Sequence, residues 1–473
     1  MEWETLFCGQ RKRTQTKKQA SFDHRSEFQK DYHRIICSAS FRRLQDKTQV
    51  FSLDDSDFVR TRLTHSLEVA SFARSLGDMV FRQLIEDGRG VTGAMREDAC
   101  SILECAGLLH DIGNPPFGHF GEDSIRNWFA KNLDAVTYGG KPLSGLLNDQ
   151  MKGDLLHFEG NAQALRLLSK LHFLVDENGM NLTFALLNTL IKYPVSSLDT
   201  DAGSEDIRFH KMGYYLAEQE LFRQITEATG AVGCRYPLTF LLEAADDIAY
   251  KTADIEDAVK KGFISYHSLV KDLKSGSFTK GFRTEEEKQA YEKQTARLEE
   301  HYGTALERGV ADPEENAVQN WVIGIQSRML GYAAKSFTDN YDAIMEGSFG
   351  SELLEASEGR AMANALSGIA YQRVFRSKNR LRSEIAAGSM IDFLLGKFVP
   401  AAVMYEEKEH QTPAGDRLMD IISDNYLQIY RIYSEGKDEQ YRLYLRLLLV
   451  TDYICGMTDS FAKRLFQELS GIK

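Results

Sequence analysis

Gly107-Leu108-Leu109-His110-Asp111-Ile112-Gly113-Asn114-Pro115-Pro116-Phe117-Gly118-His119-Phe120-Gly121-Glu122 ends an apolar helix and sets an adjacent His-Asp pair where Gly113 and two prolines stop it. Neighbouring side chains on a helix point about 100° apart, so a pair serving one centre fits best at a helix end, where the backbone can turn. An imidazole nitrogen beside a carboxylate oxygen suits a divalent cation of borderline hardness. Further on, His119 and Glu122 stand three residues apart, the spacing of side chains sharing a helix face. A bare His-Asp dipeptide is more often a helix-terminal histidine with a chance neighbour. The weight therefore rests on what surrounds it.

Upstream, His65, Val69, Phe72, Leu76, Val80 and Leu84 repeat at three-to-four spacing, which predicts a long helix with His65 at the head of its apolar stripe. A loop with Gly88, Gly90 and Gly93 follows, then a second helix over about Glu97 to His110. In such a hairpin the start of the first helix lies near the end of the second. At 1.5 Å per residue the first runs about 30 Å out and the second about 20 Å back, with enough loop to make up the difference. His65 and His110 can therefore meet, and two histidines with an aspartate make a metal-site hypothesis.

Downstream, Glu243-Ala244-Ala245-Asp246-Asp247-Ile248-Ala249-Tyr250 continues an apolar helix in which Asp246, Tyr250 and Asp254 recur at i, i+4 and i+8 on one face. The bland reading is a solvated acidic face. Against it, a carboxylate in so apolar a segment is costly unless it is paired or metal-bound.

The chain has 473 residues, 43% of them hydrophobic, and eight prolines, which with the helical periodicity predicts an all-α protein with a sizeable core. With 57 Lys+Arg against 69 Asp+Glu the net charge is −12, so bulk electrostatics does not favour nucleic acid. Six cysteines without CxxC spacing read as buried thiols in a reducing compartment. The N-terminus has no apolar h-region and no run of 18 apolar residues occurs, so the expected place is the cytoplasm, off the membrane. Residues 1–24 read as a loosely packed N-terminal arm and 25–262 as the core. Residues 263–473 read as a C-terminal helical region completing the site and an oligomer interface. Within it, Lys274 to Glu315 reads as a charged, solvent-facing helical insertion, and Arg373 to Arg382 as a basic cluster. Thr48, Val50 and Phe51 predict an extended piece.

The order His65, His110-Asp111, then a later Asp resembles the HD-domain metal-dependent phosphohydrolases, which are helical bundles. The wider text is similar to one branch, the bacterial deoxyguanosinetriphosphate triphosphohydrolases and related dNTP triphosphohydrolases. The likeness is carried by Phe41-Arg42-Arg43-Leu44-Gln45-Asp46-Lys47-Thr48-Gln49-Val50-Phe51, by Arg62-Leu63-Thr64-His65-Ser66-Leu67-Glu68-Val69, by the opening stretch and by Glu243 to Tyr250. It covers residues 25–262 well and thins afterwards.

That resemblance implies His65, His110, Asp111 and Asp246 as ligands of one divalent metal, Mn²⁺ or Mg²⁺ first, with Fe²⁺, Co²⁺ or Ni²⁺ as alternatives. Asp247 is the alternative to Asp246; Asp246 is preferred because Tyr250 and Asp254 follow it at the family's spacing. His119 and Glu122 match the catalytic couple. Gln49, Val50 and Tyr250 match sugar contacts, Asp254 a further substrate-binding position and Arg62 a triphosphate contact, while Asn161, Lys192 and Tyr193 also look family-like. The implied reaction is dGTP, or another dNTP, plus water giving deoxynucleoside and tripolyphosphate. The implied assembly is a homo-oligomer, with a hexamer as the candidate and a regulatory nucleotide or single-stranded DNA as candidate partners. Another HD enzyme, a phosphodiesterase or alarmone hydrolase, is the alternative, as is a non-catalytic nucleotide sensor or single-strand binder. No stretch reads as a code for the base.

Overall fold

In the computed structural model residues 1–13, 23–49, 60–173, 175–406 and 412–472 are described. Helix Arg62–Glu86 begins at Thr61, whose hydroxyl accepts from the Thr64 backbone N–H while Thr64 returns the bond. His65, Val69, Leu76, Val80 and Leu84 are buried along it, as the spacing predicts, and Phe72 is half-buried. The second helix starts a turn earlier than expected, at Gly93, because Thr92 caps it, and runs to Leu109.

The two helices pack along each other. At their crossing a Cβ on Gly107 would lie 2.5 Å from Ala70 Cα. Only a glycine lets the backbones approach so closely, and that approach draws the His65 and His110 ends together. Gly107→Val is expected to cost about 1–3 kcal/mol as overpacking, read as a lower Tm in thermal unfolding.

Helix Pro237–Lys260 packs against both members of the hairpin and against helices Pro313–Asp339 and Arg360–Ala370. It is buried over most of its length, including Leu241, Leu242, Ala245, Ile248 and Ala249. These helices share one apolar core, which includes residues from Trp3 to Val374 and Ile429. A second core joins Ile125, Trp128 and Phe129 of helix His119–Asn132 to Leu394, Phe398 and Leu448 near the C-terminus. Leu108, Leu109 and Ile112 lie in the first core and Phe117 in the second. The stretch Gly107 to Glu122 is thus the crossing between the two.

Several expectations need correction. The N-terminal segment is not a loose arm over its described part: Trp3 and Leu6 are core residues, and Arg11 is buried on Asp31. The extended piece, by contrast, is met over its described part: after a 3₁₀ turn, Arg43–Asp46, Thr48 bridges antiparallel to Thr61, while Val50 and Phe51 lie outside the described residues. Within the charged region, helix Glu285–Glu307 is packed on Pro313–Asp339, burying Tyr291, Leu298 and Ala305. Its apolar positions are sparse enough to be masked by charge in the sequence. Among the described residues the only strand pair is a short hairpin, Thr137–Tyr138 with Lys141–Pro142, so the fold is all-α as expected. Residues Arg380–Val403 form a helix long and apolar enough to cross a membrane, yet Ile391, Leu394, Leu395, Phe398 and Val399 are buried in the second core.

Candidate active site

Three of the four expected ligands converge. His65 comes from the start of one helix, His110 from the end of the next, and Asp246 from the middle of Pro237–Lys260. Their ligating atoms lie within 4.8 Å of one another. His65 Nε2 is 3.0 Å and His110 Nε2 3.5 Å from Asp246 Oδ1. His110 Nδ1 sits 2.8 Å from the Gly107 carbonyl, which can only accept, so Nδ1 carries the proton and the neutral ring's lone pair is on Nε2. That Nε2 is buried without a hydrogen-bond partner.

The electrostatics agree with a cation in this place. Burial alone would lower the His110 pKa, but the Asp111 and Asp246 carboxylates outweigh it and push the ring up to about 9. Asp246 is driven far below the usual carboxylate range against its burial, by His110, His65 and Lys192. In effect a proton supplies the positive charge that the carboxylates demand. Two imidazole nitrogens and a carboxylate oxygen, one nitrogen orphaned, fit a divalent ion of borderline hardness.

Asp111 stands beside this cluster. Its Oδ2 is 3.5 Å from His110 Nε2 but is ion-paired to Arg62 Nη1, while Oδ1 accepts from Asn114 Nδ2. Asp247 points elsewhere, 2.6 Å from Lys251 Nζ. A one-residue step turns a helical side chain by about 100°, which separates the two aspartates.

The second couple is formed too. His119 Nδ1 lies 2.8 Å from Glu122 Oε2, with the His119 side chain 77% exposed and Glu122 buried. His119 opens its helix because Gly118, at φ +61°, turns the chain there. Phe117 precedes it at φ +64°, a left-handed conformation costing about 1–2 kcal/mol for a residue with a Cβ. Glu122 Oε1 accepts from Gly160 N at 2.9 Å. A Cβ on Gly160 would fall 2.2 Å from Asn114 Oδ1 and 2.7 Å from Glu122 Oε1. Gly160 is therefore where the Asp111–Asn114 and Glu122–His119 pairs are brought side by side. The hydrogen bond and charge of Glu122 raise the His119 pKa above that of a free imidazole. Glu122, despite its burial, is held down to about 2 by His119, Lys211 and the Gly160 N–H.

The remaining expected residues are spread around these two couples. Arg62 is buried, with its guanidinium between Asp111 and the Gly118 backbone, so it is engaged by protein. Lys192 Nζ is 2.9 Å from Glu243 Oε1 and 3.6 Å from Asp246 Oδ2, and the neighbouring Tyr193 is half-buried with its hydroxyl pKa raised by burial. Tyr250 accepts at its hydroxyl from Lys251 Nζ at 2.8 Å. Asp254 is buried and pushed up to about 7, burial and Asp257 outweighing Arg380 and Arg60. The solvated acidic face is thus excluded for Asp254. Asn161 donates to Glu159 Oε1 at 2.7 Å, and Gln49 Oε1 is buried without a partner. Val50 lies outside the described residues.

Sequence reasoning missed Lys211, Glu159 and Glu243. Lys211 Nζ is 3.0 Å from Glu159 Oε2 and acts on Glu122. Glu243 was visible in the apolar helix as a further carboxylate one turn before Asp247, and the cost of burying it was the available signal. Lys211 had none.

The His/His/Asp cluster links both members of a helical hairpin to a third helix, and the HD-domain family model matches residues 62–152, which include His65 and His110. The chain is 47% identical to the deoxyguanosinetriphosphate triphosphohydrolase-like protein of Listeria monocytogenes, over the full length of both. It is 34% identical to the protein of the same name from Pseudomonas aeruginosa, over 100% of this chain and 99% of the other. It is 33% identical to the deoxyguanosinetriphosphate triphosphohydrolase of Serratia proteamaculans, over 93% of each. The chain belongs to the deoxyguanosinetriphosphate triphosphohydrolase family of HD-domain hydrolases.

Proposed function

We propose that this chain hydrolyses deoxynucleoside triphosphates, dGTP first, to deoxynucleoside and tripolyphosphate. One observation carries the reading: a His/His/Asp cluster and a solvent-open, carboxylate-held histidine lie close together, joined through His110-Asp111, Arg62, Asn114 and Gly160. His65, His110 and Asp246, with Asp111, would hold one divalent ion, Mn²⁺ or Mg²⁺. When bound, that ion supplies Lewis-acid stabilisation of charge on the α-phosphate.

Water attacks the α-phosphorus, a new P–O bond forms, and the bond to the 5′ oxygen breaks. His119 is positioned as the acid: Glu122 favours its protonated form, which donates to the departing 5′ oxygen. The attacking water loses its proton to solvent or to the tripolyphosphate. Lys192, Lys211 and Arg62 supply positive charge on the phosphate side. The Gly-rich phosphate loop of other nucleotide enzymes is not needed for this.

Assay of all four dNTPs with Mn²⁺ and Mg²⁺, resolving phosphate, pyrophosphate and tripolyphosphate, tests the reaction. Tripolyphosphate with free deoxynucleoside is expected. Release of pyrophosphate would assign the chain to a different HD chemistry, and binding without turnover would make it a sensor.

The sugar is read by Tyr250, Asp254 and Gln49, with Val50. Lys251 ties the Tyr250 hydroxyl toward Asp247, holding the ring one turn beyond Asp246. A ring packed on the carbon without a hydroxyl gives a ribose 2′-OH neither room nor partner. Burying an unpaired hydroxyl costs ~1–3 kcal/mol, so dGTP should be preferred over GTP by roughly tenfold or more. Tyr250→Ala should keep the cation, weaken dGTP use and narrow that ratio. An unchanged ratio in a folded variant removes Tyr250 from sugar selection. The family assignment also leads us to expect a homo-oligomer, a hexamer by choice, measured by light scattering, acting on the cytoplasmic dNTP pool.

A further inference from the structure

We infer that Asp459, in the C-terminal region, is a positioning residue for the reaction proposed above: it holds the loop that aims His119. Asp459 opens helix Asp459–Ser470 and is 2% exposed. Its Oδ1 accepts from Phe117 N at 2.9 Å, and its Oδ2 accepts from Thr48 N at 3.1 Å and Thr48 Oγ1 at 2.6 Å. One buried carboxylate thus binds two segments that are distant in the chain. One carries the strained Phe117-Gly118 turn that delivers His119; the other leads into Gln49.

The same turn of chain makes a second tie. Lys47, also buried, donates from Nζ to the Asn114 carbonyl at 2.6 Å and the Cys455 carbonyl at 2.8 Å. Asn114 is the residue that holds Asp111. Around these bonds, Ser460 Oγ donates to Asp46 Oδ1 at 2.8 Å, Arg43 Nη1 to the Gly456 carbonyl at 3.0 Å, and Arg62 N to the Lys47 carbonyl at 2.8 Å. The turn from Cys455 to Ser460 therefore holds the Asn114 to Phe117 loop at both ends, directly at Phe117 through Asp459 and at Asn114 by way of Lys47.

Physically, a left-handed phenylalanine persists only where the surroundings over-determine it. The Phe117 N–H is the group whose direction that conformation sets, and Asp459 is its acceptor. Without the carboxylate the peptide relaxes, Gly118 turns with it, and the His119 ring leaves its line. The His119–Glu122 pair itself lies within one helix and stays formed. The loss is then in alignment, which appears in kcat and not in substrate binding.

The test uses the full chain as Asp459→Ala, Asp459→Asn and Thr48→Val, with hydrogen–deuterium exchange read by peptide and steady-state dGTP hydrolysis with Mn²⁺. Asp459→Ala should raise exchange in peptides over 44–49 and 112–120 alone, and lower kcat on the order of 10²-fold with KM within about threefold. Asp459→Asn keeps one acceptor oxygen and should fall between it and wild type; Thr48→Val should lose less than about tenfold. If Asp459→Ala fails to fold, the two milder variants carry the same comparison. Unchanged exchange at 112–120, a rise spread over the whole chain, or a loss confined to KM would overturn the inference. A wild-type protein that releases no tripolyphosphate would instead overturn the proposed reaction, while the exchange result still decides whether Asp459 holds the loop.

Discussion

His110→Ala and Asp246→Ala are expected to lose the divalent ion and turnover together, while keeping helical content. Each supplies an atom of the one cluster, among the described residues, in which two imidazoles and a carboxylate meet. His110 is the sharper test: Gly107 fixes its tautomer, leaving a buried Nε2 with no hydrogen-bond partner among the described residues. Removing a ligand forfeits several kcal/mol of charge stabilisation at phosphorus, which at 1.36 kcal/mol per decade is a rate loss on the order of 10³-fold or more. Bound manganese by elemental analysis, circular dichroism and tripolyphosphate release give the three readouts. Turnover at the wild-type rate in either variant, with chelator present, would falsify the assignment of a metal centre.

The second large effect belongs to His119. His119→Ala should keep the ion and bind dGTP nearly as well, yet lose on the order of 10²–10⁴-fold in kcat, the range for an acid–base group. The sign of its pH dependence follows from Glu122. A raised pKa means the ring stays protonated above 6.5, so as an acid it is competent at low pH, and kcat falls as pH rises through the raised value. Glu122→Gln removes the raising charge, so the falling limb should move to lower pH. A limb that stays in place would show that another group titrates. A loss seen only in KM would make His119 a phosphate ligand.

Much of this site was readable from short-range pattern. The apolar stripe behind His65, the breakers after Asp111, the His119/Glu122 spacing and the Asp246/Tyr250 repeat each need only local periodicity. The helix caps at Thr61 and Thr92 are just as local, yet they went unread, and the second helix begins ahead of the expected Glu97. The hairpin argument brought His65 to His110 because helical rise is a constant of the backbone. The N-terminal segment was misread for the opposite reason. Arg11 looks like one of a run of surface charges, and only the fold shows Asp31 waiting for it.

By itself the sequence determined that the chain is helical, that His65 and His110 come together at one end of a hairpin, and that His119 sits one turn from a carboxylate. The tertiary structure alone decided which partner each polar atom takes. Arg62 lies on Asp111, Gly160 joins Asn114 to Glu122, and Lys211 and Glu159 stand behind the His119–Glu122 pair. Asp459 from near the C-terminus and Lys47 from ahead of the hairpin both hydrogen-bond the loop. Periodicity and capping act over a turn or two of backbone. A buried hydrogen bond instead depends on which distant segments the packing of two apolar cores brings within 3 Å, and no local pattern encodes that.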